Sequence, residues 1–231
     1  TVLLLFTLSS FFLHLLILLG STSNTPFLGS LYFIRFYDTW RAKDCTHTPG
    51  LSNFFQVGLW NYCEGSAGGV FRCEHPKEFW WFDPVEEMVE RLFSGAGVPI
   101  SDTVSRTAHK ARRAGYCVFI FYFLSLIFSI ATLMLDVIPS HRRWSPILSI
   151  FTSSFSAFFS AIGAVISTAL YCLYRNFLED LQEIHIQGAL GRNMFVVMWA
   201  ATIISASSSM MRIMCGCWNP ERIRDGRGGG R

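Results

Sequence analysis

Cys63 and Cys73, separated by nine residues, carry the clearest potential chemistry in this 231-residue chain. Outside the reducing cytosol, two cysteines at this spacing can form a disulfide that closes a small loop. The alternative is a zinc site that also uses Cys45 and His75. Structural zinc sites usually take ligands in pairs two to four residues apart, and only Cys73 and His75 are near neighbours. The spacing favours a disulfide, and we predict no metal and no cofactor.

Catalytic groups are hard to assemble from this sequence. Carboxylates such as Glu64, Glu78 and Asp83 are present. Nothing pairs them with a nucleophile, a metal-binding set or a glycine-rich phosphate loop. The acidic residues from Asp83 to Glu90 have a simpler role on the wet face of a helix. We therefore predict that the protein is not an enzyme.

The elements that must position these residues are mostly membrane spans. The chain is 51% hydrophobic and only 15% charged, whereas soluble domains carry about 25% charged residues. The net charge of +3 is too small and too dispersed to suggest nucleic acid, and we predict no such partner. Apolar segments long enough to cross a bilayer core cover residues 2–19, 116–135, 147–174 and 194–214. The first could instead be the core of a signal peptide, but its length favours a true span.

Arginine placement predicts the orientation of these spans. The connection 136–146 and the tail 215–231 are rich in arginine, and Arg212 is counted with them. In the connection 175–193, the positive charge of two arginines is balanced by acidic residues. The positive-inside rule therefore places both termini in the cytosol and the 21–113 region outside. Basic residues just before the second span oppose this assignment, but long translocated loops are largely exempt from the rule.

Ionisable residues within the spans are few. His14 lies among leucines in the first span, where a buried hydroxyl or carbonyl partner is the simpler interpretation and proton sensing the alternative. Asp136 is expected at a helix end that water can reach. A pump or transporter normally needs several such groups inside the membrane, so we predict neither.

The 21–113 region is long enough to form a small domain. Aromatic and β-branched runs predict strands at 31–40, 54–62 and 70–73, with a turn at 65–69. An amphipathic helix is predicted at 83–94, because Asp83 can cap it and its apolar residues recur at helical spacing. The run Phe79, Trp80, Trp81 and Phe82 precedes this helix. These aromatics are interpreted as anchors at the membrane interface, as core of the small domain, or as contacts to a partner protein.

Two tryptophans complete a recognisable pattern around the cysteines. Trp40 precedes Gly58-Leu59-Trp60, which is followed by Cys63 and Cys73. This pattern resembles the claudin-type signature of four-span proteins, and nearly the whole chain resembles the fungal Sur-seven/PalI family of eisosome-associated, claudin-like proteins. The resemblance implies a mainly α membrane protein. Its expected fold is a four-transmembrane-helix claudin-like bundle with a small extracellular antiparallel β-sheet and one extracellular amphipathic helix. It also implies a helical extension after the third span, followed by Gly-Ala-Leu-Gly at the membrane re-entry.

Small residues and two late cysteines suggest contacts of the bundle itself. Serine, alanine and glycine recur every four residues in the third and fourth spans, which predicts close helix packing within the chain, with association between proteins as the alternative. Cys215 and Cys217 follow the fourth span. They are interpreted either as palmitoylation sites beside arginines that attract anionic lipid, or as unmodified thiols.

The resemblance implies a function as well as a fold. It implies a multi-pass plasma-membrane protein that organises a fungal membrane domain of the eisosome type, with effects on cell-wall integrity and endocytosis. The alternative is an accessory subunit of a larger membrane complex, either an ambient-pH sensing assembly or a cell-wall synthase. The expected partners are membrane lipids, including anionic lipids on the cytosolic side, and other membrane proteins or further copies of the chain.

Overall fold

The computed structural model describes most of the chain. It describes residues 2–20, 22, 25, 27–38, 54–59, 62–66, 69–73, 102–137, 145–180 and 186–218. Several predicted features lie outside them: Trp40, Trp60, Cys45, the aromatic run 79–82, the helix 83–94 and the tail beyond residue 218.

Four long helices dominate the described structure: α1 Val2–Leu19, α2 Asp102–Val137, α3 Ser145–Asp180 and α4 Arg192–Trp218. Each contains a segment long and apolar enough to cross a membrane. Large apolar side chains such as Leu5, Phe158 and Met210 point outward, while serines and threonines fill much of the interior. This distribution suits lipid as the solvent, because polar groups in a bilayer must find partners inside the protein. The predicted tetraspan architecture is confirmed.

Contacts divide the chain into two compact units, which we describe separately. The first, the bundle unit, comprises Thr1–Leu15, Ile120–Ala164 and Val197–Arg231. The second, the sheet unit, comprises Leu16–Phe119 and Val165–Val196.

The sheet unit contains a five-stranded antiparallel sheet of order β4-β3-β2-β1-β5. Its strands are β1 Ile34–Asp38, β2 Phe54–Val57, β3 Tyr62–Ser66, β4 Gly69–Cys73 and β5 Ile186–Leu190. The first four strands lie between α1 and α2, whereas β5 lies between α3 and α4. Since β1 pairs with β5, both connections build one sheet and must emerge on the same side of the membrane.

The strand pattern corrects the sequence-based expectations in two places. The run predicted as one strand at 54–62 is broken after Val57 by Gly58 and Leu59, so the chain reverses and forms β3 as a separate strand. Gly65 and Gly69, predicted in a turn, belong to strands β3 and β4. In the 175–193 connection, α3 does extend helically to Asp180, but the Gly-Ala-Leu sequence then pairs as part of β5.

Aromatic rings join the sheet to the helix ends within the sheet unit. Phe33, just before β1, stacks on Tyr171 of α3 with ring centroids 4.8 Å apart. Phe195 of α4 meets both rings edge-on, at 6.4 Å and 6.0 Å. Such aromatic pairs contribute about 0.5–1.5 kcal/mol beyond the area that they bury. They attach the first strand to both helices that flank β5.

Candidate functional site

The disulfide predicted from the cysteine spacing is present in the sheet unit. Cys63 on β3 and Cys73 on β4 are directly opposite in the strand register and are bonded to each other. Cys63 is fully buried. Zinc binding through this pair is thereby excluded, because both sulfurs are bonded to each other.

We expect loss of this disulfide to destabilise the sheet. The Cys63→Ser/Cys73→Ser variant should lose about 2–3 kcal/mol of unfolding free energy, since the crosslink no longer restricts the unfolded chain. Thermal unfolding of the purified protein, with and without reductant, measures the effect. Reductant should lower the midpoint of the wild type and leave this variant unchanged. A Cys117→Ser/Cys172→Ser variant, which removes exposed free thiols, is the matched control. A wild-type midpoint insensitive to reductant contradicts the prediction.

The small residues of the third and fourth spans pack inside the protein, as predicted. Buried positions on α3 and α4 include Ser149, Ser153, Ser160, Ala201 and Ser209. Ser160 Oγ lies 3.0 Å from Thr202 Oγ1, and Ser154 Oγ lies 2.9 Å from Ser209 Oγ. These rows therefore serve two purposes: they let the helices approach closely, and they supply hydrogen bonds between them.

A largely buried ion pair joins α4 to α2 in the bundle unit, and we call this pair with its hydrogen-bond partners the charged cluster. Arg212 of α4 donates from both terminal nitrogens to the two carboxylate oxygens of Asp136 on α2. It also donates to Ser149 on α3 and, over 2.6 Å, to Thr7 on α1. The side chains of Arg212 and Asp136 are only 6% and 13% exposed. The charged cluster thus takes one residue from each of the four helices.

This cluster corrects two expectations from the sequence. Arg212 was counted with the arginines of the tail that set orientation, but its side chain is buried among the four helices and paired with Asp136. Asp136 lies at the end of α2 as expected, but it is only 13% exposed to water. Its carboxylate is engaged by a two-pronged guanidinium contact, which is the strongest geometry for such a pair. A lone acid and a lone base in apolar segments are the signal that could have revealed the pair, because charges inside membranes pair with one another.

A second polar group, the histidine cluster, again draws on all four helices. His14 of α1 is fully buried. Its Nδ1 lies 2.7 Å from the carbonyl oxygen of Ser10, and its Nε2 lies 2.8 Å from the hydroxyl of Ser125 on α2. The Ser156 hydroxyl on α3 donates to the backbone carbonyl of Ser125, and Ser10 bonds Ser205 on α4 over 2.7 Å. A neutral imidazole satisfies both ring contacts, as the simpler interpretation of His14 predicted.

The contact between His14 and Ser125 has the distance of a nucleophile and its base. The other features of a hydrolytic site do not accompany this contact among the described residues. The second ring nitrogen is held by a backbone carbonyl rather than by a carboxylate, and His14 and Ser125 are both fully buried. The geometry serves helix packing, because Nε2 of His14 and the hydroxyl of Ser10 bond to neighbouring helices.

The polar rows that form both clusters have a regular spacing. On α2 the buried residues Ser125, Ser129 and Thr132 and the largely buried Asp136 recur every three or four positions. This interval keeps them on one helix face. The corresponding row on α3 was recognised from its small residues, but the row on α2 was missed among the phenylalanines and leucines that surround it.

The chain was also compared with known proteins. A sequence model of the SUR7/PalI family matches residues 1–211. The chain belongs to the SUR7/PalI family. One relative, the SUR7 family protein pun1 of Schizosaccharomyces pombe, is 25% identical over 176 residues, which is 73% of this chain and 59% of the relative. This chain therefore covers about three fifths of that relative's length.

The remaining residues that the sequence predicted to be functional in this SUR7/PalI protein do not form one site among the described residues. Gly58 and Leu59 lie in the connection between β2 and β3, close in sequence to the disulfide. Cys215 is exposed near the end of α4, where an acyl chain could be attached. Its palmitoylation stays a prediction. For Trp40, Trp60, the aromatic anchors at 79–82 and the side chain of Cys217, the described residues provide no test.

Proposed function

We propose that this SUR7/PalI protein organises a domain of the fungal plasma membrane, of the eisosome type, as a structural and non-enzymatic component. Through that domain it affects cell-wall integrity and endocytosis. The family match over residues 1–211 carries the proposal.

The character of the bundle supports a structural role. Its buried hydroxyls, its imidazole and its ion pair are largely engaged with one another across helices. Large apolar side chains face outward, including the neighbouring Phe155 and Phe158 on α3. Such a surface offers extensive contact to lipid or to other membrane helices, while the interior maintains one fixed arrangement.

We further propose that the sheet lies outside the cell and both termini in the cytosol. A disulfide is maintained on the oxidising side of the membrane, and the Cys63–Cys73 bond belongs to the sheet. Epitope tags at either terminus of the full-length protein should be reached by antibody only after the plasma membrane is permeabilised. Staining of intact cells whose wall has been removed would contradict this orientation.

The proposed role is tested in the native fungus. The protein, fluorescently tagged at its own locus, should form immobile plasma-membrane patches that do not recover after photobleaching. Its deletion should increase sensitivity to wall-binding dyes and change the uptake of an endocytic tracer. A Cys117→Ser/Cys172→Ser version, which retains the disulfide, should restore both properties, while diffuse wild-type fluorescence that recovers fully contradicts the proposal.

Isolation in native-membrane nanodiscs distinguishes this role from that of an accessory subunit. Self-association with co-purifying lipid is the expected result for an organiser of a membrane domain. One partner protein in fixed stoichiometry would instead indicate a subunit of a pH-sensing assembly or of a wall synthase.

A further inference from the structure

The bundle unit contains a cavity with a composition unusual for a transmembrane interior. Eight residues line it, two from each helix, and every one carries a hydroxyl: Thr7, Ser10, Ser129, Thr132, Ser153, Ser156, Ser205 and Ser208. All eight are buried. An interior cavity with only apolar walls stays dry, whereas one with polar walls provides the hydrogen bonds that hold water.

Two of the lining hydroxyls require a partner. Ser129 Oγ on α2 and Ser208 Oγ on α4 make no hydrogen bond with the described part of the protein. Both residues are only 2% exposed. Serine inside a helix often bonds to a carbonyl of its own preceding turn, as Ser205 and Thr132 do, but Ser129 and Ser208 do not. An unpaired hydroxyl at this depth is costly, so its partner should lie within the cavity.

The available space fits one particular ligand. The cavity leaves about 10 Å³ for the centre of a water molecule, and one ordered water needs roughly 10–15 Å³ by this measure. A space of this size holds a single water. A sodium ion fits less well, because the walls offer neutral hydroxyls and the lining residue Thr7 already accepts a hydrogen bond from the Arg212 guanidinium.

We propose that this cavity binds one water molecule, which bridges the hydroxyls of Ser129 and Ser208. The same water joins the charged cluster to the histidine cluster, since Thr7 belongs to the first and Ser10 and Ser205 belong to the second. The four helices are then held by one continuous hydrogen-bond network rather than by two separate groups.

The sign of a stability change tests the proposal. With water bound, Ser129→Ala and Ser208→Ala each remove a partner of that water, and each should lower the thermal midpoint by about 2–4 °C. With a dry cavity, each substitution removes an unpaired buried hydroxyl and should raise the midpoint. Ser207→Ala on the same helix is the matched control, because its hydroxyl bonds to the Ile203 carbonyl and does not line the cavity. An unchanged or raised midpoint in both cavity variants overturns the proposal.

Two further measurements identify the ligand. The double variant Ser129→Ala/Ser208→Ala should lose less than the sum of the two single losses, because both hydroxyls bind the same water. Strict additivity overturns the bridge. The midpoints are also compared in sodium chloride and choline chloride at equal concentration. Water predicts no difference, whereas stabilisation by sodium alone would reassign the cavity to a cation. A high-resolution structure of the wild type should show density within hydrogen-bond distance of both hydroxyls, and a site without density overturns the proposal.

Discussion

Replacing Arg212 with alanine should cost about 3–5 kcal/mol of unfolding free energy, the largest single effect that we expect in the bundle unit. The substitution leaves the Asp136 carboxylate buried without its countercharge. It also removes the donor that Thr7 and Ser149 accept from. Arg212→Lys should restore only part of the loss, because an ammonium cannot reproduce the two-pronged contact with the carboxylate. Thermal unfolding in detergent or nanodiscs measures both variants.

Two control variants show whether the loss of stability comes from breaking the ion pair or only from removing a positive charge. Arg192→Ala removes an exposed arginine at the start of α4 and should change stability by less than about 0.5 kcal/mol. Arg212→Met/Asp136→Leu replaces both partners with apolar groups and should be more stable than Arg212→Ala, since no unpaired charge remains. An Arg212→Ala protein as stable as the wild type would show that the ion pair does not hold the helices.

Gly191→Ala should destabilise the sheet unit by about 3 kcal/mol or more, at the upper end of overpacking effects. A β-carbon at this position would lie 1.7 Å from the backbone carbonyl oxygen of Tyr32, and backbone atoms have no flexible end that can move aside. The chain would have to separate there. That movement breaks the 2.9 Å hydrogen bond from the Gly191 amide to the Phe33 carbonyl and disturbs the pairing of β1 with β5.

Gly115→Ala provides the matched control for this substitution. Gly115 lies within α2, and a β-carbon there would meet nothing within 4 Å. Alanine at an unobstructed helical position should be neutral or stabilise the protein by up to about 1 kcal/mol. Thermal unfolding and limited proteolysis measure the stability of both variants. Equal stability of the two proteins would mean that the close approach at Gly191 is not required.

The large features of the fold follow from local sequence properties. Apolar length gives the four spans, and the spacing of Cys63 and Cys73 gives the disulfide once an oxidising compartment is assumed. The simpler interpretation of His14 also holds, because a buried imidazole needs partners wherever it lies. In each case a short stretch of chain carries the information.

Features that depend on distant contacts could not be predicted in this way. β5 contains Gly188 and Ala189, which have little intrinsic preference for strands, and it forms because β1 offers an edge about 150 residues earlier in the chain. Arg212 looked like a charge beside the tail, because its partner is 76 residues away. The cavity requires serines and threonines from all four helices, and each is unremarkable alone.

The position of β5 has a consequence for how the protein is made. β1 to β4 emerge from the ribosome long before β5, which follows the third membrane helix. Until then β1 keeps an open edge of amide and carbonyl groups, a surface that readily pairs with other chains. The sheet is completed only after the first three long helices have been synthesised. A chain whose synthesis stops earlier keeps the unpaired edge of β1, and that edge can aggregate with other chains.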